Sequence, residues 1–119
     1  MSAEADLARE VERAWDCELR RFDEPSAVEW FAVREGSVTA LLQLAWHPGE
    51  VAMYPTVTLA LRTFMALRLA VLAVDVPAVF VVAFADQIRW IRIPARVPWE
   101  LTVEQEPVVH IPVEQMKVL

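Results

Sequence analysis

Several residue types that define common functional sites are scarce in this chain of 119 residues. Cys17 is its only cysteine, so an intrachain disulfide is impossible. Gly36 and Gly49 are its only glycines, too few for a glycine-rich phosphate-binding loop. The two histidines, His47 and His110, are far apart in the sequence and have no neighbours with the spacing of zinc ligands. The sequence therefore favours no disulfide framework, phosphate loop or zinc site.

Positive charge is also in short supply, and apolar residues are abundant. The formal net charge is −6, whereas strong binding of naked nucleic acid requires a basic surface. Hydrophobic residues make up 56% of the chain, above the usual share of roughly 45–50%. Because so short a chain has a small interior, we expect a surface buried against another protein or a second copy. DNA binding is expected to be weak.

Long uninterrupted apolar runs and a leader segment are likewise missing. The longest apolar run, residues 69–85, contains Asp75 and Pro77, whereas a membrane helix needs roughly 20 nearly uninterrupted apolar residues. The first twenty residues carry charges throughout, which does not fit a signal peptide. These features predict no membrane segment and a cytoplasmic location.

The first 22 residues have the pattern of an amphipathic helix. Leu7, Val11, Trp15 and Leu19 recur every four residues with charges between them. This spacing predicts a helix over 2–22, ended by the turn-forming residues 23–26.

The next segment reads as a β-hairpin. Residues 28–33 and 37–46 alternate as strands, and Gly36 suits the left-handed position of a three-residue bulged loop. That loop would pair Val33 with Ser37 and place Glu29 opposite Leu41. Because strand side chains alternate between faces, Glu29 would share one face with residues 43 and 45.

The remaining chain predicts a second helix, two further strands and a tail. The helix spans 58–74, and a continuous apolar run at 78–85 is typical of a strand buried on both faces. A second strand follows at 88–93. A strand–helix–strand connection implies a right-handed crossover between parallel strands. Residues 95–119 are proline-rich and are predicted to be irregular, apart from an extended piece at 108–111. We expect one α/β domain over 1–119.

Three short strings resemble one superfamily. They are Ala-Leu-Leu-Gln-Leu-Ala-Trp at 40–46, the run from Val76 to Asp86, and Glu-Pro-Val-Val-His-Ile-Pro at 106–112. Together they resemble small phage-borne members of the restriction-endonuclease-like, or PD-(D/E)XK, nucleases. The resemblance implies a mixed sheet of four to five strands with two main helices.

The resemblance also implies where catalytic residues would stand. In that superfamily an acid on the first hairpin strand and a glutamate on the second hold Mg²⁺, and a lysine two residues later assists a water molecule. These positions fall on Glu29, Gln43 and Ala45 here, and a basic helix residue falls on Arg62. A neutral amide is a poor Mg²⁺ ligand and alanine cannot move a proton. The resemblance therefore implies a silent site without a cofactor, in which Arg62 can pair with Glu29. Mg²⁺ is expected only if the acid and the lysine are restored.

Three functional hypotheses remain open. The first is an inactive nuclease-fold module that binds protein, as a virion or assembly component or as an inhibitor of host machinery. The second is a Mg²⁺-dependent DNA nuclease carrying inactivating substitutions at 43 and 45. The third is a nucleic-acid-binding module without catalysis, for which Arg89, Arg92 and Arg96 are the candidate surface. Trp90 and Trp99, expected near the sheet edge, are candidate anchors for a protein partner, because tryptophan is enriched at interface hot spots. The other three tryptophans are expected in the core. The phage resemblance implies a location in the host cell or the virion.

Overall fold

Two helices and two β-sheets make up the part of the chain that the computed structural model describes, residues 3–23 and 28–119. In chain order the elements are α1 (Ala3–Trp15), β1 (Glu18–Arg21), β2 (Trp30–Arg34), β3 (Ser37–Trp46), β4 (Thr56–Ala60), α2 (Leu61–Val74), β5 (Ala78–Ala83), β6 (Ile88–Arg92), β7 (Glu100–Val103), β8 (Pro107–Pro112) and β9 (Lys117–Val118). The larger sheet has the order β1-β2-β3-β5-β6-β9, and the smaller has the order β4-β8-β7. β3 and β5 run parallel, as predicted. The predicted α/β class with a mixed sheet is confirmed, with six strands in the main sheet where four to five were expected.

The first helix is shorter than its apolar spacing predicts. It ends at Trp15, because Asp16 adopts a left-handed backbone conformation with φ of 50°. The Glu12 carboxylate then accepts a hydrogen bond from the Leu19 backbone N–H at 2.9 Å. Leu19 lies in β1 opposite Ala32, so it enters the same core from a strand. The predicted helix over 2–22 is therefore wrong beyond Trp15. Residues 2 and 24–27, part of that helix and most of its predicted end, lie outside the described residues.

The hairpin between β2 and β3 is present, but its register differs from the prediction. Glu35 and Gly36 both have positive φ, 52° and 79°, as a two-residue type I′ turn requires. The pairs are therefore Arg34–Ser37 and Val33–Val38, followed by a bulge and then Ala32–Ala40 and Phe31–Leu41. The predicted pairs Val33–Ser37 and Glu29–Leu41 are wrong. The shorter turn moves the register by one residue, and the bulge moves it by one more.

Much of the predicted tail belongs to the second sheet. Residues 95–119 contain β7, β8 and β9, where the sequence predicted an irregular segment with one extended piece at 108–111, which lies within β8. β8 pairs with β4, which occupies the predicted start of the second helix, so that α2 begins at Leu61. Pro107 and Pro112 stand at the two ends of β8, where proline is tolerated. β8 also forms a local hairpin with β7, but β4 is about fifty residues away, so no local pattern indicates the β4–β8 pairing.

The main sheet separates two hydrophobic cores. The α1 side contains Leu7, Ala8, Val11, Leu19, Trp30, Ala32, Leu42, Val79, Val81 and Ala83. The α2 side includes Leu41, Val57, Leu59, Phe64, Leu67, Phe80, Val82, Val109 and Ile111, and the smaller sheet closes it. Successive residues of β3 and β5 alternate between these cores, as the two-residue period of a strand requires. β5 is consequently buried along its whole length.

The second helix ends as predicted. Asp75 is left-handed with φ of 56°, and its backbone N–H bonds the Val71 carbonyl at 2.8 Å. Within residues 3–23 and 28–119, no helix has the length and apolar character needed to cross a membrane.

Candidate functional site

Gln43 and Ala45 point from β3 into the α2-side core. In the parallel register Gln43 lies beside Phe80 and Ala45 beside Val82, and both partners belong to that core. The Oε1 atom of Gln43 is buried and has no hydrogen-bond partner. The two residues thus share one face, as the sequence predicts, and that face is packed with apolar side chains.

Glu29 does not join them. It precedes β2, where the regular alternation is broken: Val28 packs in the α2-side core and Trp30 packs in the α1-side core. Its carboxylate lies 3.6 Å from the guanidinium of Arg21. Arg21 pairs with Trp30 across β1 and β2, and its guanidinium stands 5.4 Å from the centre of the Trp30 ring. The surviving acid is therefore held by a cation of the chain itself.

A second acid completes this group, and sequence reasoning missed it. Glu4 of α1 accepts a hydrogen bond from Trp30 Nε1 at 2.8 Å and lies 3.7 Å from Arg21. Glu4 and Glu29 thus flank one guanidinium. The contacts of Arg21 with these residues could not be predicted from a single helix over 2–22, because they depend on the pairing of β1 with β2. The term Arg21 network is used below for Glu4, Arg21, Glu29 and Trp30.

Arg62 lies elsewhere. Its guanidinium is 3.3 Å from Oε1 of Glu106, and its side chain is 81% exposed at the start of α2. The predicted pair between Arg62 and Glu29 is wrong, because the start of α2 lies beside the β7–β8 turn. Of the four nuclease-like positions, only Gln43 and Ala45 are brought together.

The two candidate anchor tryptophans are half-buried. Trp90 packs edge-on against Trp15, with ring centres 5.4 Å apart, and Lys117 lies 5.2 Å from the centre of the Trp90 ring. Trp99 donates from Nε1 to Gln115 at 2.9 Å and packs against the α2-side core. Each ring thus has one covered part and one part open to solvent.

Trp46 departs from the core position expected for it. At the end of β3 it is 56% exposed. The strand alternation places it on the α1 side, where it lines a small pocket with Glu4 and Leu7 of α1. It is the most exposed of the tryptophans at predicted core positions.

The arginine-rich segment does not present a continuous basic surface. Arg89 donates to Gln87 Oε1 at 2.6 Å and to the Val113 carbonyl at 3.0 Å. The second bond ties the segment after β8 to the main sheet. Arg92 and Arg96 are exposed. Only part of the predicted nucleic-acid surface is thus free for a ligand.

Cys17 and a nearby cleft offer little chemistry. Burial raises the pKa of the Cys17 thiol, and the carboxylates of Glu12 and Asp16 raise it further, so its reactive thiolate is disfavoured. An open cleft of about 750 Å³ lies between α1 and the β5–β6 turn, with Arg13 and Asp86 in its walls. None of the four nuclease-like positions lines it. Within residues 3–23 and 28–119, no three histidine, cysteine or acidic side chains are placed to hold a metal ion.

Comparison with known proteins identifies the fold. A family model described as "Phage putative PDDEXK endonuclease" matches residues 1–119. A similar solved structure is that of Hjc, a Holliday junction resolvase from the archaeal hyperthermophile Archaeoglobus fulgidus. The TM-score is 0.66 at 12% identity, over 98% of this chain and 88% of that chain. No curated protein matches significantly. The predicted restriction-endonuclease-like fold is confirmed.

Proposed function

Because the chain belongs to this phage PD-(D/E)XK family, we propose that it is a catalytically inactive nuclease-fold module that acts by binding protein. One observation carries the proposal: Gln43 and Ala45 stand at the expected catalytic positions and face a packed apolar core. Both side chains are half-buried, and neither offers a charged oxygen or an amine to a phosphodiester or to its attacking water molecule.

The residues present do not fit Mg²⁺. This cation prefers several charged oxygens in octahedral geometry. The Gln43 oxygen is uncharged and enclosed by apolar neighbours, and Ala45 has no polar atom. Glu29 has a guanidinium within 4 Å, which already compensates its charge. No catalytic step is therefore assigned to a metal.

A binding role accounts for features that catalysis leaves unexplained. The chain is acidic, and several large apolar side chains remain exposed. The open parts of Trp90 and Trp99 are suited to contact a protein partner, since tryptophan is enriched at interface hot spots. For a phage protein this role fits a virion or assembly component, or an inhibitor of host machinery. The location is then the virion or the host cytoplasm.

A cleavage assay tests the silent site. The protein is incubated with supercoiled and linear DNA in Mg²⁺ or Mn²⁺, beside a Glu29→Ala variant as the matched control. We expect no nicking above the control. Metal-dependent nicking by the unaltered chain that is lost in Glu29→Ala would overturn the proposal.

One alternative is favoured by the kind of residue at each position. Glutamine is nearly isosteric with glutamate but uncharged, and alanine truncates lysine without adding a new group, which suits a nuclease inactivated by substitution. The double variant Gln43→Glu with Ala45→Lys tests it, with circular dichroism to confirm folding. Metal-dependent cleavage by the double variant would support this alternative. A double variant that folds but does not cleave DNA would support the main proposal, because restoring these two residues alone would then not restore a catalytic site.

A further inference from the structure

The outward face of α2 is apolar over about two turns. Met65, Leu69 and Leu72 are 60%, 69% and 69% exposed, and the spacing of four and three residues aligns them on one face. Phe64 and Leu67, on the opposite side, are buried in the α2-side core. This exposed stripe of Met65, Leu69 and Leu72 is called the α2 face below.

Charge makes the α2 face compatible with itself. α2 contains no acidic residue, whereas the whole chain carries a net charge of −6. Two copies can therefore meet along α2 without opposing carboxylates of the helix itself. Arg62 lies in the first turn of the helix, Arg68 lies near its middle, and Asp75 follows its end. An antiparallel second copy would place its Asp75 toward Arg62, and it would also oppose the two helix dipoles.

An apolar groove extends the α2 face at its C-terminal end. Its volume is about 330 Å³. It is lined by Phe22, Phe31, Val38, Leu41, Val74 and Val76. In an antiparallel pair, Met65 of the second copy comes toward this end. The unbranched methionine side chain adapts well to irregular apolar gaps.

We infer that the α2 face is a self-association surface, on which α2 of a second copy packs antiparallel across a two-fold axis. This inference names the partner for the binding role proposed above, and it rests on that role being a protein contact. Like any two-fold contact, it pairs one patch with itself. Leu69 lies at the centre of the stripe.

Sedimentation equilibrium at micromolar concentrations tests the surface. We expect the unaltered chain to form a dimer. Leu69→Glu should raise the dimer Kd by about tenfold or more, because it buries unpaired like charges. Val103→Glu is the matched control, since Val103 is a 74% exposed apolar residue on β7, outside the α2 face. A monomeric unaltered chain, or dissociation by Val103→Glu and not by Leu69→Glu, would overturn the inference.

Cross-linking gives an independent readout that does not depend on affinity. In a Cys17→Ser background, Leu69→Cys should form a disulfide-linked dimer on oxidation, and Val103→Cys should not. The reverse result would place the interface elsewhere. If the chain is monomeric and does not cleave DNA, only the self-association inference is overturned. If the chain is dimeric and cleaves DNA, only the proposal of an inactive nuclease fold is overturned.

Discussion

The two helices cover opposite faces of one sheet, but only α1 has an outer face suited to water. On α1 the outward residues are charged, and Asp6–Arg9 and Glu10–Arg13 form ion pairs along the helix. On α2 the outward residues are Met65, Leu69 and Leu72. Both helices bury an apolar inner stripe against the sheet. Packing within this chain accounts for the residue pattern on both faces of α1. On α2 it accounts for the buried face and leaves the apolar outer face without a partner in the chain.

The same contrast divides the residues at the nuclease-like positions. Its polar contacts lie on the α1 side, in the Arg21 network, and a lone amide oxygen lies on the α2 side at Gln43. A working metal site would need these groups on one face. They are separate here: Glu29 belongs to the ion pairs of the Arg21 network, and the Gln43 oxygen is buried without a hydrogen-bond partner.

The largest effect should come from the inner stripe of α2. Leu67→Ala removes a fully buried side chain and should lower the free energy of unfolding by about 2–5 kcal/mol. Leu69→Ala, two residues away and exposed, should change it by less than about 0.5 kcal/mol in dilute, monomeric protein. Urea denaturation measures both. Equal losses for the two variants would contradict the inward and outward assignment of α2.

A gain of stability is expected at Gln43. Replacing it by methionine keeps the shape and removes an unsatisfied buried oxygen, which should stabilise the fold by about 1–3 kcal/mol. Gln43→Glu, which buries a charge instead, should destabilise it and serves as the opposite control. A loss of stability in Gln43→Met would mean that the amide has a partner in solution.

On the α1 side, the hydrogen bond from Trp30 to Glu4 should have a moderate effect. Glu4→Ala leaves the half-buried Nε1–H without its acceptor and should reduce stability by about 1 kcal/mol. Glu4→Gln keeps an acceptor oxygen and should lose less. If both variants lose the same amount, the charge near Arg21, and not the hydrogen bond, supplies the stabilisation.

Local patterns predicted the elements that have a clear residue pattern of their own. The β2–β3 hairpin and the buried strand β5 follow from alternation and from a continuous apolar run, and the extended piece predicted at 108–111 lies within β8. β4 was missed because it pairs with β8, a segment far away in the sequence. β7 was missed although it forms a local hairpin with β8.

The site was predictable only in part for the same reason. That Gln43 and Ala45 share a face follows from strand geometry alone. The partner of Glu29 is Arg21 of β1. The apolar spacing of residues 7–19 predicted a helix there, so this contact was not expected. The partner of Arg62 depends on the β7–β8 turn, within the segment that read as irregular.

The smallest effect should be at Arg62, and it tests whether charge holds α2 in place. Its ion pair with Glu106 is largely exposed, so solvent screens it, and Arg62→Ala should cost less than about 0.5 kcal/mol. A double-mutant cycle with Glu106→Ala isolates the pair, and raising the salt concentration should shrink the coupling further. A coupling energy above about 1 kcal/mol would show that the Arg62–Glu106 ion pair helps to hold the N-terminal end of α2 in place. A negligible coupling leaves the buried stripe of Phe64 and Leu67 as the attachment of α2, with the outer face free to bind a second copy.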